Sequence, residues 1–68
     1  MSELSKSLGQ NIRTLRKEKS ISQESLAHVC EIDRSYLGRI ERGEVNITVC
    51  KLYEIAKALE VNAKELLP

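Results

Sequence analysis

The sequence predicts an all-α fold of five short helices, on three observations. Apolar residues recur at spacings of three and four along nearly the whole chain, strand-like alternation is nearly absent, and the single proline, Pro68, is the last residue. The 68 residues suffice for one domain, 1–68, and no more. A domain of this size buries only about 60% of the surface its unfolded chain exposes. With 41% hydrophobic residues but only two aromatics, Tyr36 and Tyr53, its core must be built from Leu, Ile, Val and Ala.

The first helix is read from Leu4, Leu8, Ile12 and Leu15, which fall on one helical face. It ends near Lys17 and Lys19, where the helix dipole favours cations. Ser22 is placed to cap a second, shorter helix, with Glu24 in its first turn and Leu26, Ala27 and Cys30 turned inward. After a three-residue break Asp33 stands as the next N-cap. The helix behind it buries Leu37 and Ile40, and Gly43 is placed to stop it in a left-handed conformation. The loop 44–47 leads to Thr48, which caps a fourth helix with the stripe Val49, Leu52, Ile55, Ala56 and Leu59. Asn62 and Glu65 have the spacing of a capping box and open a fifth, last turn carrying Leu66 and Leu67.

Several function classes are disfavoured. One histidine, His28, and two cysteines, Cys30 and Cys50, form no C-x-x-C and no usual metal-ligand set. His28 reads as an exposed residue on the outer face of its helix. There is no glycine-rich phosphate loop and no nucleophile paired with a base, so neither an enzyme nor a cofactor is expected. The first thirty residues hold no apolar run long enough for a signal peptide, and no stretch approaches a membrane span. A cytoplasmic protein with reduced thiols is therefore expected, although the spacing of Cys30 and Cys50 leaves a disulfide open. A net charge of +1 does not announce a nucleic-acid partner; such a partner would have to be met by where the cations sit.

The informative stretch is SQESLAHVCEIDRSYLGRIERG, Ser22 to Gly43. Two short helices joined by a tight break, with Ile32 plugging the turn and small Ala27 at the crossing, describe a helix-turn-helix unit. With Leu8-Gly9, Ile12-x-x-Leu15-Arg16, Leu59-x-Val61 and Glu65-Leu66-Leu67, this stretch resembles the Xre/Cro-like helix-turn-helix family, which includes the lambdoid phage repressors. The run DRSYLGRIERGEVNIT, Asp33 to Thr48, is especially similar to the controller proteins of restriction–modification systems. The resemblance covers nearly the whole chain. It implies a compact five-helix, lambda-repressor-like domain with the motif at helices 2–3, in a bacterial or phage transcriptional regulator acting as a homodimer on palindromic double-stranded DNA. An antitoxin, a prophage repressor, or an interaction module that has lost DNA binding remain alternatives, and no small-molecule ligand is evident. One position departs from the family pattern. Glu31 stands where the turn usually has glycine, so either the turn relaxes or a left-handed residue costs about 1–2 kcal/mol.

In a helix-turn-helix the second helix enters the major groove with its N-terminal residues at the base edges. Since Leu37 and Ile40 take the inner face, Arg34, Ser35, Tyr36 and Arg39 are the expected base readers. The arginines suit bidentate pairing with guanine O6 and N7. The resemblance adds Gln23 as a phosphate contact that braces a base-reading side chain, with Ser22 a cap first and a contact second. It also makes Arg42 and Asn46 grips on the sugar-phosphate backbone, and pairs Arg16 with Glu41 as a structural ion pair between helices 1 and 3. Gly38 implies a close approach, to DNA or to a neighbouring helix. Leu66 and Leu67, joined by Tyr53 and Val61, form the candidate dimer surface, with closure of the monomer's own core as the rival role for the leucines, or one leucine in each role.

Overall fold

The computed structural model describes residues 2–68 and is all-α. Four α-helices, α1 (Glu3–Glu18), α2 (Gln23–Val29), α3 (Arg34–Glu41) and α4 (Val49–Leu59), are followed by a single 3-10 turn, Ala63–Glu65. The fifth helix of the sequence reading is therefore not an α-helix. Its bonds run from each N–H to the carbonyl three residues back, as from Leu66 to Ala63 at 3.0 Å. The Leu66 carbonyl is engaged instead by Asn11 Nδ2 at 2.9 Å, which ties the segment to α1.

Caps define where the helices start. Ser2, Ser22 and Thr48 each accept a hydrogen bond from the backbone N–H three residues on. Asp33 has the extended backbone of an N-cap but makes no such side-chain bond. At the 3-10 turn, the Asn62 N–H donates to the Glu65 carboxylate at 3.0 Å.

All four helices end in the same way. A residue in the left-handed region, Ser20 (φ 59°), Glu31 (φ 58°), Gly43 (φ 76°) or Glu60 (φ 60°), reverses the chain. The following N–H then reaches back five residues: Ile21 to Arg16, Ile32 to Ala27, Glu44 to Arg39 and Val61 to Ala56. The turn at Glu31 has thus not relaxed; it holds a glutamate in the conformation that glycine adopts without strain.

The core comprises Ile12, Leu26, Ala27, Cys30, Leu37, Ile40, Leu52, Ile55, Ala56, Leu59 and Leu66. Two predicted stripes are corrected. On α1 the buried residues are Ser5, Gly9, Ile12 and Arg16, while Leu8 and Leu15 are half-buried and Leu4 is 60% exposed. The cause is the crossing of α1 over α3: a Cβ on Gly9 would collide with the Ile40 carbonyl oxygen and lie 2.9 Å from the Glu41 carbonyl carbon. Only glycine lets the backbones meet there, and the face centred on it is the one that is covered. On α4, Val49 is exposed, and the buried stripe begins at Leu52. Both thiols are free, Cys30 in the core and Cys50 at the surface. Burial pushes the Cys30 thiol pKa up. No helix among the described residues is long and apolar enough to cross a membrane.

Candidate nucleic-acid interface

Helix α3 owes its orientation to an ion pair rather than to apolar packing alone. Arg16 of α1 donates from Nε to Glu41 Oε2 at 2.7 Å and from Nη2 to Glu41 Oε1 at 3.1 Å. Its Nη1 donates to the Ile21 carbonyl at 2.9 Å. Gln23, the first residue of α2, donates from Nε2 to the same Glu41 Oε1 at 3.0 Å. Arg16 and Glu41 are both buried, at 7% and 6% exposure, so this node holds α1, α2 and α3 in register away from water. Losing one partner of such a pair typically costs about 3–5 kcal/mol, because the other charge is left uncompensated.

With Leu37, Gly38, Ile40 and Glu41 turned inward, α3 presents Arg34, Ser35, Arg39 and the following Arg42 to solvent. Tyr36 stands apart from these. Its side chain is half-buried against the core. Gly38 does not bring another backbone close: a Cβ there would first meet Arg42 Nη1 at 3.2 Å and the end of Gln23 at 3.8 Å. Its bareness makes room for these two side chains.

Around α3 the remaining predicted contacts fall on two flanks. On one, Arg34, Ser22, Gln23 and Glu24 line a depression with Arg13 and Arg16. Ser22 is occupied as a cap, accepting from the Ser25 N–H at 3.0 Å and donating to the Ser25 hydroxyl. Arg13 was not singled out from sequence. Its position three residues before Arg16, one helical turn away, is the signal that marks it. On the other flank Asn46 is exposed, but its side-chain oxygen accepts from the Ser5 hydroxyl, which itself accepts from Ser2. Asn46 is thereby oriented by α1, with its amide nitrogen left to serve as a donor. Arg42 donates to Glu44 at 2.6 Å, a partner that sequence reasoning also missed.

The residues assigned to self-association separate. Leu66 is fully buried and closes the monomer's core, so it is withdrawn from the surface; Val61 is half-buried against the same core. Tyr53 and Leu67 are exposed, at 62% and 48%, and Val49, one turn before Tyr53 on α4, is exposed as well. A shallow depression joins Tyr53 to Asn62, Ala63 and Lys64.

Comparison with known proteins bears on the family and the fold. The profile of a family described as helix-turn-helix matches residues 12–66. The control protein C.BamHI of Bacillus amyloliquefaciens is 45% identical over 60 residues, covering 87% of this chain and 74% of that protein. The control protein C.SmaI of Serratia marcescens is 40% identical over 60 residues, covering 88% and 71%. Among solved structures, the restriction-modification controller protein C.AhdI from Aeromonas hydrophila superposes with a TM-score of 0.88 at 40% identity, covering 91% of this chain and 94% of that one. By motif, fold and sequence, this chain belongs to the Xre/Cro-like helix-turn-helix family of DNA-binding transcriptional regulators and is similar to restriction–modification control proteins.

Proposed function

We propose that the chain, as a single unit spanning residues 1–68, binds a palindromic operator as a homodimer and controls a restriction–modification system, its own gene included. The observation that carries this reading is the division of α3: its inner face is sealed by Leu37, Ile40 and the Glu41 node, while Arg34, Ser35 and Arg39 face outward. In this reading Arg34 and Arg39 read base edges, with Ser35 adaptable to base or phosphate. Gln23, Arg42 and Asn46 fix register on the backbone, and Arg13 joins them across the depression it shares with Arg34. Tyr36, half-buried, serves at the margin of the helix rather than at its centre.

One recognition helix spans only a few base pairs, so useful selectivity asks for two copies about 34–36 Å apart along the duplex. The similarity to the control proteins C.BamHI and C.SmaI supports the controller assignment. A bacterial cytoplasm is the corresponding location, and no enzymatic step, cofactor or small-molecule ligand enters the reading.

Selection of bound duplexes from a random pool, at near-physiological salt, tests it. The expected result is one palindrome whose half-sites lie about a helical turn apart, present beside the protein's own gene. Weak binding to every sequence, vanishing as salt rises, would instead assign the chain to the interaction modules that keep the fold without the recognition.

A further inference from the structure

Three of the four helix ends place an aliphatic residue after the left-handed position: Ile21, Ile32 and Val61, each packed against the core. The fourth places Glu44. Its N–H bonds to the Arg39 carbonyl at 2.9 Å, which folds position 44 back over α3. The carboxylate then meets two guanidinium groups. Oε2 accepts from Arg42 Nε at 2.6 Å, and Oε1 lies 3.8 Å from Arg39 Nε. The hydrogen bond from Arg42 holds the Glu44 carboxyl below its usual pKa, so it is an anion at neutral pH. The three side chains are 42–58% exposed, on the face assigned to DNA.

We propose that Glu44 is a specificity-determining residue: an internal anion that pairs with Arg39 and Arg42 in the free protein. Any phosphate approaching either arginine meets a like charge, a cost the operator bears at Arg42 alone and arbitrary DNA at both. The inference rests on the DNA-binding reading above and names a residue that reading does not use. Phosphates are available at every position of a duplex, and each can replace the carboxylate only by bringing its own charge toward Glu44. A guanine edge in the major groove offers Arg39 two acceptors at once, without that charge. Glu44 therefore discounts binding to arbitrary DNA more than binding to the operator. Removing its charge lifts that cost at both arginines.

The test compares wild type with Glu44→Gln by fluorescence anisotropy, on the selected operator and on a scrambled duplex of equal length, over about 50–200 mM salt. Gln keeps the shape and Glu44→Ala removes it, so agreement between the two isolates the charge; circular dichroism confirms that both keep wild-type helicity. On the scrambled duplex the affinity should rise about five- to tenfold, with a steeper salt dependence as new phosphate contacts form. On the operator it should rise less than about threefold, so that discrimination narrows. In an Arg39→Ala, Arg42→Ala background the same Glu44→Gln change should alter scrambled binding little. Equal tightening on both duplexes, no change on either, or a full gain in the arginine-less background would each overturn the proposal. So would weaker operator binding alone, which would make Glu44 a base reader itself. If wild type fails to distinguish operator from scrambled duplex, the DNA-recognition reading falls and takes this inference with it, and that outcome is visible before any variant is measured.

Discussion

Ser20, Glu31 and Glu60 each hold a left-handed backbone with a side chain attached, and each bears the clash between Cβ and carbonyl that costs about 1–2 kcal/mol. Glu31 is exposed and contributes nothing to the core, so Glu31→Gly should relieve the strain at little loss. The gain is partly offset because glycine makes the unfolded chain more flexible. The expected result is about 1 kcal/mol of added stability in urea unfolding, or a melting point about 4–8 °C higher for a domain of this size. An unchanged midpoint would mean that the unfolded-state term cancels the relief. The family pattern, with its glycine at this turn, made Glu31 visible in the sequence. Nothing comparable marked Ser20 or Glu60, because a φ angle leaves no trace in a polar surface residue. Glu44 escaped notice for a related reason: its arginine partners are two and five residues away, and only the reversal of the chain after Gly43 brings all three together.

The helices differ in how far their buried faces could be read. On α3 the apolar periodicity and the observed face coincide, because Leu37 and Ile40 really are its inner residues, and the outward Arg34, Ser35 and Arg39 follow by subtraction. On α1 the apolar stripe and the covered face differ by about one position. Counting hydrophobic residues gives no weight to a glycine at a helix crossing, to Ser5 orienting Asn46, or to an arginine buried against a carboxylate. Glycine in mid-helix costs about 1 kcal/mol against alanine, so Gly9 is retained against propensity. Gly9→Ala should accordingly destabilise the fold despite the better helix former. Its Cβ must push α1 off the Ile40–Glu41 backbone and stretch the Arg16–Glu41 pair, and overpacking of this kind costs about 1–3 kcal/mol. Urea unfolding measures the loss. A stabilised variant would show that α1 can shift without disturbing α3. Gly38→Ala is the informative comparison, since its Cβ meets side-chain ends rather than backbone. Gln23 lies at an ordinary 3.8 Å, and Arg42 Nη1, at 3.2 Å, must give by a few tenths of an ångström, so a smaller loss than at Gly9 is expected.

At the level of the whole molecule, the decisive question is what covers Val49, Tyr53 and Leu67. Sequence reasoning placed apolar residues at this end of the chain but could not divide Leu66 from Leu67. The division depends on the 3-10 turn, which sends Leu66 into the core and leaves its neighbour outside. Val49 and Tyr53 are one turn apart on α4 and share a face, and Tyr53 borders the 3-10 turn that precedes Leu67. The accessible surface of the monomer is 4437 Å², so a standard interface of about 800 Å² per partner would take roughly a fifth of it. A dimer must therefore use this whole face rather than one anchoring residue. If α4 and the following turn form the self-association surface, Tyr53→Ala combined with Leu67→Ser should produce a monomer in analytical ultracentrifugation. Its helicity should remain, since neither side chain belongs to the core. Melting of the wild type should rise with protein concentration, whereas melting of the variant should not. Operator affinity should fall much further than affinity for an isolated half-site, because only the full site draws on the linkage of two recognition helices. A variant that stays dimeric would place the interface on another face and leave Tyr53 and Leu67 as isolated surface residues.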